Sequence, residues 1–184
     1  TPPRPANLLR ELMHMGQMIQ SHGMHFFELA GPDLLLSFDA APEIRNVVGL
    51  IGANPDLTVK AVMLRKFGQE IIKTLGGRRI HTVFALPGGV NKALTMQERD
   101  GILIGVDTAI ETLQVGLTIM KGWAEKNMED INKFAVFPTG YFGLITPENG
   151  LELYDGNVRL ISRDGSELER FPIANYLDYI QEHV

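Results

Sequence analysis

Cysteine is absent from all 184 residues. That excludes disulfides, thiolate-held zinc, iron–sulfur ligation and thiol nucleophiles within this chain. Basic charge is outnumbered: 17 Lys and Arg stand against 22 Asp and Glu, a formal charge of -5. The chain therefore has no general attraction for phosphate backbones or anionic lipid, and no nucleic-acid partner is expected. No apolar run approaches the roughly 18 uncharged residues that a membrane span needs. The opening TPPRPANLLREL lacks a signal peptide's apolar core. Internal repeats and low-complexity tracts are missing too, as are a P-loop spacing, an H-E-x-x-H pair and a nucleophile elbow. These absences together predict a soluble, cytoplasmic chain with no membrane segment.

With 45% hydrophobic residues, the chain can bury one substantial core. The reading is a single domain, 1–184, and part of a larger one. It has a helical core over about 1–135, a β-rich appendage over about 136–172 and a terminal helix over about 173–182. The fold class is α+β, mainly α: a bundle of long helices with a small antiparallel β meander near the C-terminus.

The informative stretch is LLRELMHMGQMIQSHGMHFFELAGPD, residues 8–33. Asn7 can cap a helix that Gly31-Pro32-Asp33 stops. Met18, His22, His25, Phe26 and Leu29 share one helical face, and His14, Gln17, Ser21 and His25 make a more polar ridge beside it. Polar groups on a buried helix are either satisfied core groups or the lining of a site. Gly16 and Gly23, seven residues apart, suggest close approach of another backbone or group, with tight helix–helix packing as the plainer reading. Glu28 stands three residues after His25 and could pair with it. The three histidines are not an H-E-x-x-H arrangement; His22 and His25, three apart, could share a metal but have no acidic partner between them, so no metal is assigned.

Pro42 suggests a helix over about 43–53. Another spans about 57–75, with Gly76-Gly77 as its stop. Residues 76–95 read as an extended, buried connection around Pro87-Gly88-Gly89, with Lys92 just beyond it. Thr95-Met96-Gln97-Glu98 has the form of a capping box and opens a long helix to about Met128. A short helix is expected near 129–134. Turn signals then separate LELY (151–154), VRLIS (158–162) and SELERF (166–171), the expected strands.

QSHGMHFFELAGPD (20–33), LRKFGQEIIKTLGGRRIHTVFALPGGVNK (64–92) and FPTGYFGLI (137–145), in this order and at these separations, resemble the central part of the large subunit of [NiFe] hydrogenases. The soluble, cytoplasmic, NAD-reducing (bidirectional) class is the nearest in flavour. The resemblance implies a subunit that holds a nickel–iron centre carrying CO and cyanide, interconverting dihydrogen with protons and electrons. The partners it implies are NAD-reducing diaphorase subunits and an iron–sulfur small subunit. The family's ligands are four cysteines in two C-x-x-C pairs, and neither pair occurs in this chain. The chain would thus bind no cofactor itself, carry no catalytic residue and be inactive alone, with self-association through exposed core surface. Ser21, His22 and His25 match the S-H-x-x-H-F form of the family's motif, which implies places around the metal site rather than on the metal. His81, Pro87, Gly88 and Gly89 match a piece that shapes the wall of the core, with Lys92 beside it. The quinone-site large subunit of respiratory complex I shares the G-x-R-x-H…P-G-G-V piece and lacks the nickel cysteines. It is the alternative, together with a metal-free helical scaffold.

Overall fold

In the computed structural model, which describes residues 2–181 and 183, the first helix, α1, runs from Arg4 to Met24. It starts ahead of the expected Asn7 cap. Pro5 lies in its first turn, where a fixed φ suits the helix and a missing N–H leaves nothing unpaired. Past Met24 the helix widens into a π turn, His25–Leu29, closed by the Ala30 N–H donating to His25 O at 2.8 Å. Gly31-Pro32-Asp33, expected to end helical structure, opens α2 (Gly31–Leu36) with its proline again in a first turn.

Helix α3 (Val47–Ala53) begins later than Pro42 suggests. Asn46 is its cap, accepting from the N–H groups of Val48 and Gly49 at 2.9 and 3.1 Å. Helix α4 (Pro55–Gly76) stops at Gly77, whose φ of 72° is the left-handed turn the sequence suggested.

Helices α1 and α4 touch backbone to backbone. A Cβ on Gly68 would sit 2.6 Å from Gly16 O and 2.7 Å from Gln20 N, and one on Gly16 would sit 2.9 Å from Ile71 Cγ2. The first helix's glycines therefore serve helix packing. Around this contact lie two apolar clusters, one of Phe27, Ala61, Leu64 and Ala109, the other of Ile71, Leu75 and Phe84.

Residues 76–95 contain a minimal hairpin, β1 (Ala85–Leu86) paired antiparallel with β2 (Gly89–Val90) around Pro87-Gly88. The capping box then forms as expected: the Glu98 N–H donates to Thr95 Oγ1 at 3.2 Å, and the Thr95 N–H donates to Glu98 Oε2 at 3.0 Å. The long helix after it is broken. It becomes α5 (Met96–Leu103) and α6 (Val106–Lys126), and at the break the Phe67 ring packs beside Gly105, 2.6 Å from where a Cβ would be. Met96–Lys126 is, among the described residues, the one helical stretch long and apolar enough to cross a membrane by length and composition. Asp107 and Glu111 interrupt 102–120 with charge, so this stretch holds no uncharged run near the roughly 18 residues of a membrane span.

Contacts divide the chain into two compact units, Thr1–Met128 and Glu129–Val184, with the short helix α7 (Met128–Ile131) at the junction. The second unit is an antiparallel sheet in the order β3 (Tyr141–Ile145), β4 (Asn157–Ile161), β5 (Glu167–Pro172). Val158 faces Phe171 in the register, both are buried, and Phe171 stacks on Tyr179 with ring centroids 3.9 Å apart. The chain is thus mainly α with a small antiparallel sheet near its C-terminus, as its sequence suggested. The strand expected at 151–154 is replaced by Tyr141–Ile145; only Leu151 bridges, to Ile145. Glu152 explains this, since its carboxylate accepts from the N–H groups of Leu153 and Tyr154 at 2.8 and 3.0 Å, competing with a ladder for those donors. The terminal helix is a 3-10 helix, Ile173–Asp178. Residue 182, the expected end of that helix, lies outside the described residues.

Acid should loosen this sheet. Glu167 is held down from 4.5 to about 2, first by hydrogen bonds from Arg170 and then by Arg159 at 2.6 Å. Asp164 is held down from 3.8 to about 2 by the Ser162 hydroxyl and then by the Ser166 N–H. Both folded-state values are depressed, so their contribution is complete above the unfolded values and drains away as pH falls toward 2. Amide exchange at Val158 and Phe171 should accelerate between pH 5 and about 2 beyond its chemical baseline. Glu167→Gln should flatten that dependence; an equal slope in both proteins would refute the assignment.

Candidate functional site

The π turn decides what the first helix presents. It adds one residue to the winding past Met24 and so shifts which of the following side chains face α4 and α6. Here Phe27 is buried and Phe26 half-buried, edge to face with centroids 4.8 Å apart. Gly116 of α6 makes room for both: its Cβ would lie 2.9 Å from Phe27 Cζ and 3.3 Å from Phe26 Cε1.

Beside these rings runs an apolar groove of about 400 Å³, lined by His22, His25 and Phe26 from the first helix and by Leu113, Leu117 and Met120 from α6. His22 and His25 are exposed and Ser21 is half-buried. His22 Nδ1 lies 3.0 Å from Met18 O. A carbonyl can only accept, so Nδ1 carries the proton, and in the neutral ring Nε2 is left as the acceptor. The groove can thus offer an imidazole acceptor within an otherwise apolar lining.

Glu28 does not pair with His25. It accepts from Arg65 Nη1 of α4 at 3.2 and 3.4 Å, with 22% of the Glu28 side chain exposed. The π turn carries the carboxylate round to α4, and this pair ties the turn to the helix beneath it. The Arg65 Nε is buried with no partner among the described residues.

His81 lies elsewhere. With φ at 53°, a left-handed value uncommon outside glycine, it enters a second groove of about 500 Å³ with Arg10, His14, Gln17, Gln20 and Arg79. The polar ridge read from the sequence is therefore divided. His14 and Gln17 face His81, while His25 joins His22 in the apolar groove.

Pro87 and Gly88 are the exposed turn of the β1–β2 hairpin, with Gly88 at φ 84°. Arg10 of α1 fixes this turn by donating to Leu86 O at 2.6 Å and to Gly89 O at 2.7 Å. Lys92 lines neither groove. It donates to Thr74 O at 3.0 Å and to Glu98, strapping the end of α4 to the α5 cap. That contact, then the Thr95 backbone, holds the Glu98 carboxyl down to about 2. Arg10 and the Glu28–Arg65 pair were not legible as partners in the sequence, since they lie 76 to 79 and 37 residues apart.

Among the described residues no group of three or more His, Cys, Asp or Glu is placed to hold a metal ion. With no cysteine in the chain, this donor set does not fit the nickel–iron centre that the resemblance implies.

These two grooves sit on a helical scaffold that known proteins share. No family model matches the chain. It is 46% identical over 182 residues to a vhu subunit of the F420-non-reducing hydrogenase of Methanocaldococcus jannaschii, covering 99% of this chain and 43% of that protein. Its identity to the NAD-reducing hydrogenase HoxS subunit beta of Cupriavidus necator is 39% over 185 residues, covering 97% of this chain and 38% of that protein. Among solved structures, an NAD+-reducing [NiFe]-hydrogenase in the H2-reduced state superposes with a TM-score of 0.90 at 36% identity, over 97% of this chain and 40% of that one. A Ni-Fe-Se hydrogenase from D. vulgaris Hildenborough shares the fold, with a TM-score of 0.65 at 18% identity over 93% of this chain and 37% of that one. The chain is therefore related to hydrogenase subunits. It spans about two fifths of the length of the curated relatives it matches.

Proposed function

We propose that this chain is a section of the catalytic large subunit of a [NiFe] hydrogenase, an oxidoreductase that in its full complex couples reversible H2 oxidation to NAD reduction. The observation that carries this reading is the superposition on an NAD+-reducing [NiFe]-hydrogenase over 97% of the chain at a TM-score of 0.90. In this reading Ser21, His22 and His25 stand around the metal centre, and cysteines outside these 184 residues ligate it. When bound, that centre supplies the hydrogen chemistry. The residues of this chain supply a wall: His22 with its Nδ1 committed to Met18 O, His25 beside it, and apolar α6 side chains that keep water away. His81 and the Pro87-Gly88-Gly89 turn shape a neighbouring part of that wall, and Lys92 braces it from outside. Its partners, in the cytoplasm, are diaphorase subunits and an iron–sulfur small subunit.

The surface supports a missing complement. Two independent bodies of 128 and 56 residues would expose about 10,500 Å² between them by the usual size scaling. The chain exposes 12,914 Å². Within the first unit, Ile110, Leu113, Leu117 and Met120 of α6 recur along the helix and are 38–54% exposed, an apolar face open to a partner surface.

The relatives support hydrogenase over the quinone-site subunit of complex I. A second reading of the electron acceptor rests on the higher identity to an F420-non-reducing subunit, 46% against 39% for the NAD-reducing one. The coding sequence on either side tests the proposal. One C-x-x-C pair upstream and one downstream are expected; a reading frame closed at both ends without them would overturn it.

A further inference from the structure

His14, Gln17 and His81 take no direct part in the groove of His22 and His25, yet the fold gathers them in one place. We propose that the groove between α1 and residues 79–82 binds a compact oxyanion, the phosphate or carboxylate group of a small solute. The proposal does not depend on the hydrogenase reading.

Charge is the first argument. The groove holds Arg10 and Arg79 beside His14 and His81, and among the described residues no Asp or Glu lines it, in a chain whose formal charge is -5. A site so unlike its surroundings focuses an attractive field on anions. Neither arginine loses that role through its present contacts. Arg10 is held by the neutral carbonyls of Leu86 and Gly89, which orient the guanidinium without cancelling its charge. Arg79 pairs with Glu70, which does not line the groove, and a guanidinium with five N–H donors can serve two acceptors at once.

Geometry is the second argument. Gln17 and Gln20 are one helical turn apart on α1, and both border the groove, adding amide donors. His81 is held at φ 53°, a backbone state of the kind that persists where the surroundings enforce it and that clusters at ligand sites. At about 500 Å³ the groove has room for an oxyanion and a small organic body.

The test is an NMR titration of the imidazole resonances of the full 184-residue chain with inorganic phosphate, adenosine 5′-monophosphate and acetate, at constant ionic strength set with chloride. Saturable shifts of His14 and His81 are expected, with His22 and His183 unmoved. Arg79→Gln and Gln17→Leu should each weaken the affinity several-fold, and Arg163→Gln should leave it unchanged. Saturation by phosphate and the nucleotide alike marks a free-anion site; tighter binding of the nucleotide marks a phosphate-ester site; saturation by acetate alone marks a carboxylate site. Linear shifts without saturation, equal shifts at all histidines, or unchanged affinity in both Arg79→Gln and Gln17→Leu would overturn the proposal.

Discussion

Leu64→Ala is expected to destabilise the helical unit by about 2–5 kcal/mol. Leu64 is the one large side chain among the described residues that is below 2% exposure, and it joins Phe27, Ala61 and Ala109 in one cluster. Truncation removes its transfer free energy and leaves a cavity, because Ala61 and Ala109 are too short to close the gap. Gly23 offers a way to check this account. A Cβ there would lie 3.4 Å from Leu64 Cδ2, so Gly23→Ala adds a methyl group where the truncation leaves space, and it also favours the helix by up to about 1 kcal/mol. The double variant should recover more stability than the sum of the single effects predicts. Denaturant midpoints of the four proteins decide it; a loss below about 1 kcal/mol for Leu64→Ala, or strict additivity with Gly23→Ala, would contradict the packing described here.

Gly68→Ala should also destabilise, although the same change in an exposed helix would stabilise by about 1 kcal/mol. The difference lies in what the new methyl group meets: Gly16 O at 2.6 Å and Gln20 N at 2.7 Å. Both are backbone atoms, and no rotamer change can move them aside. Helices α1 and α4 must separate, and overpacking of this kind costs about 1–3 kcal/mol. Gly52→Ala is the comparison, since nothing lies within 4 Å of its Cβ position. Thermal melts should show Gly68→Ala below and Gly52→Ala at or above the parent protein; the opposite order would remove the helix contact from the account.

Much of the scaffold was legible because its signals are local. The Gly77 stop of α4, the Thr95–Glu98 capping box and the turn residues of the sheet all act within a few positions. The departures come from contacts across the chain. The helix opened by the Thr95 box reads as continuous to about Met128, yet it breaks between Leu103 and Val106, where Phe67 of α4 packs beside Gly105. LELY reads as a strand until Glu152 takes its backbone donors. The π turn left no trace in the sequence, since adjacent apolar residues such as Phe26 and Phe27 are ordinary on the buried face of a helix. The candidate site divided for the same reason. His14, His22, His25 and His81 are countable in a sequence, but only the fold assigns two of them to an apolar groove and two to a basic one. Glu28 was assigned to His25 by spacing and went to Arg65, because the extra residue in the π turn changes what spacing means.

The central claim is that this chain forms a wall of a nickel–iron site whose ligands lie outside it. Metal analysis of the purified 184-residue chain, paired with H2-dependent viologen reduction, tests it most directly. The account predicts no stoichiometric nickel and no turnover from this chain, with both present in a complete subunit that supplies the two C-x-x-C pairs. Stoichiometric nickel or measurable turnover in the chain alone would contradict it, as would a complete subunit that binds no nickel.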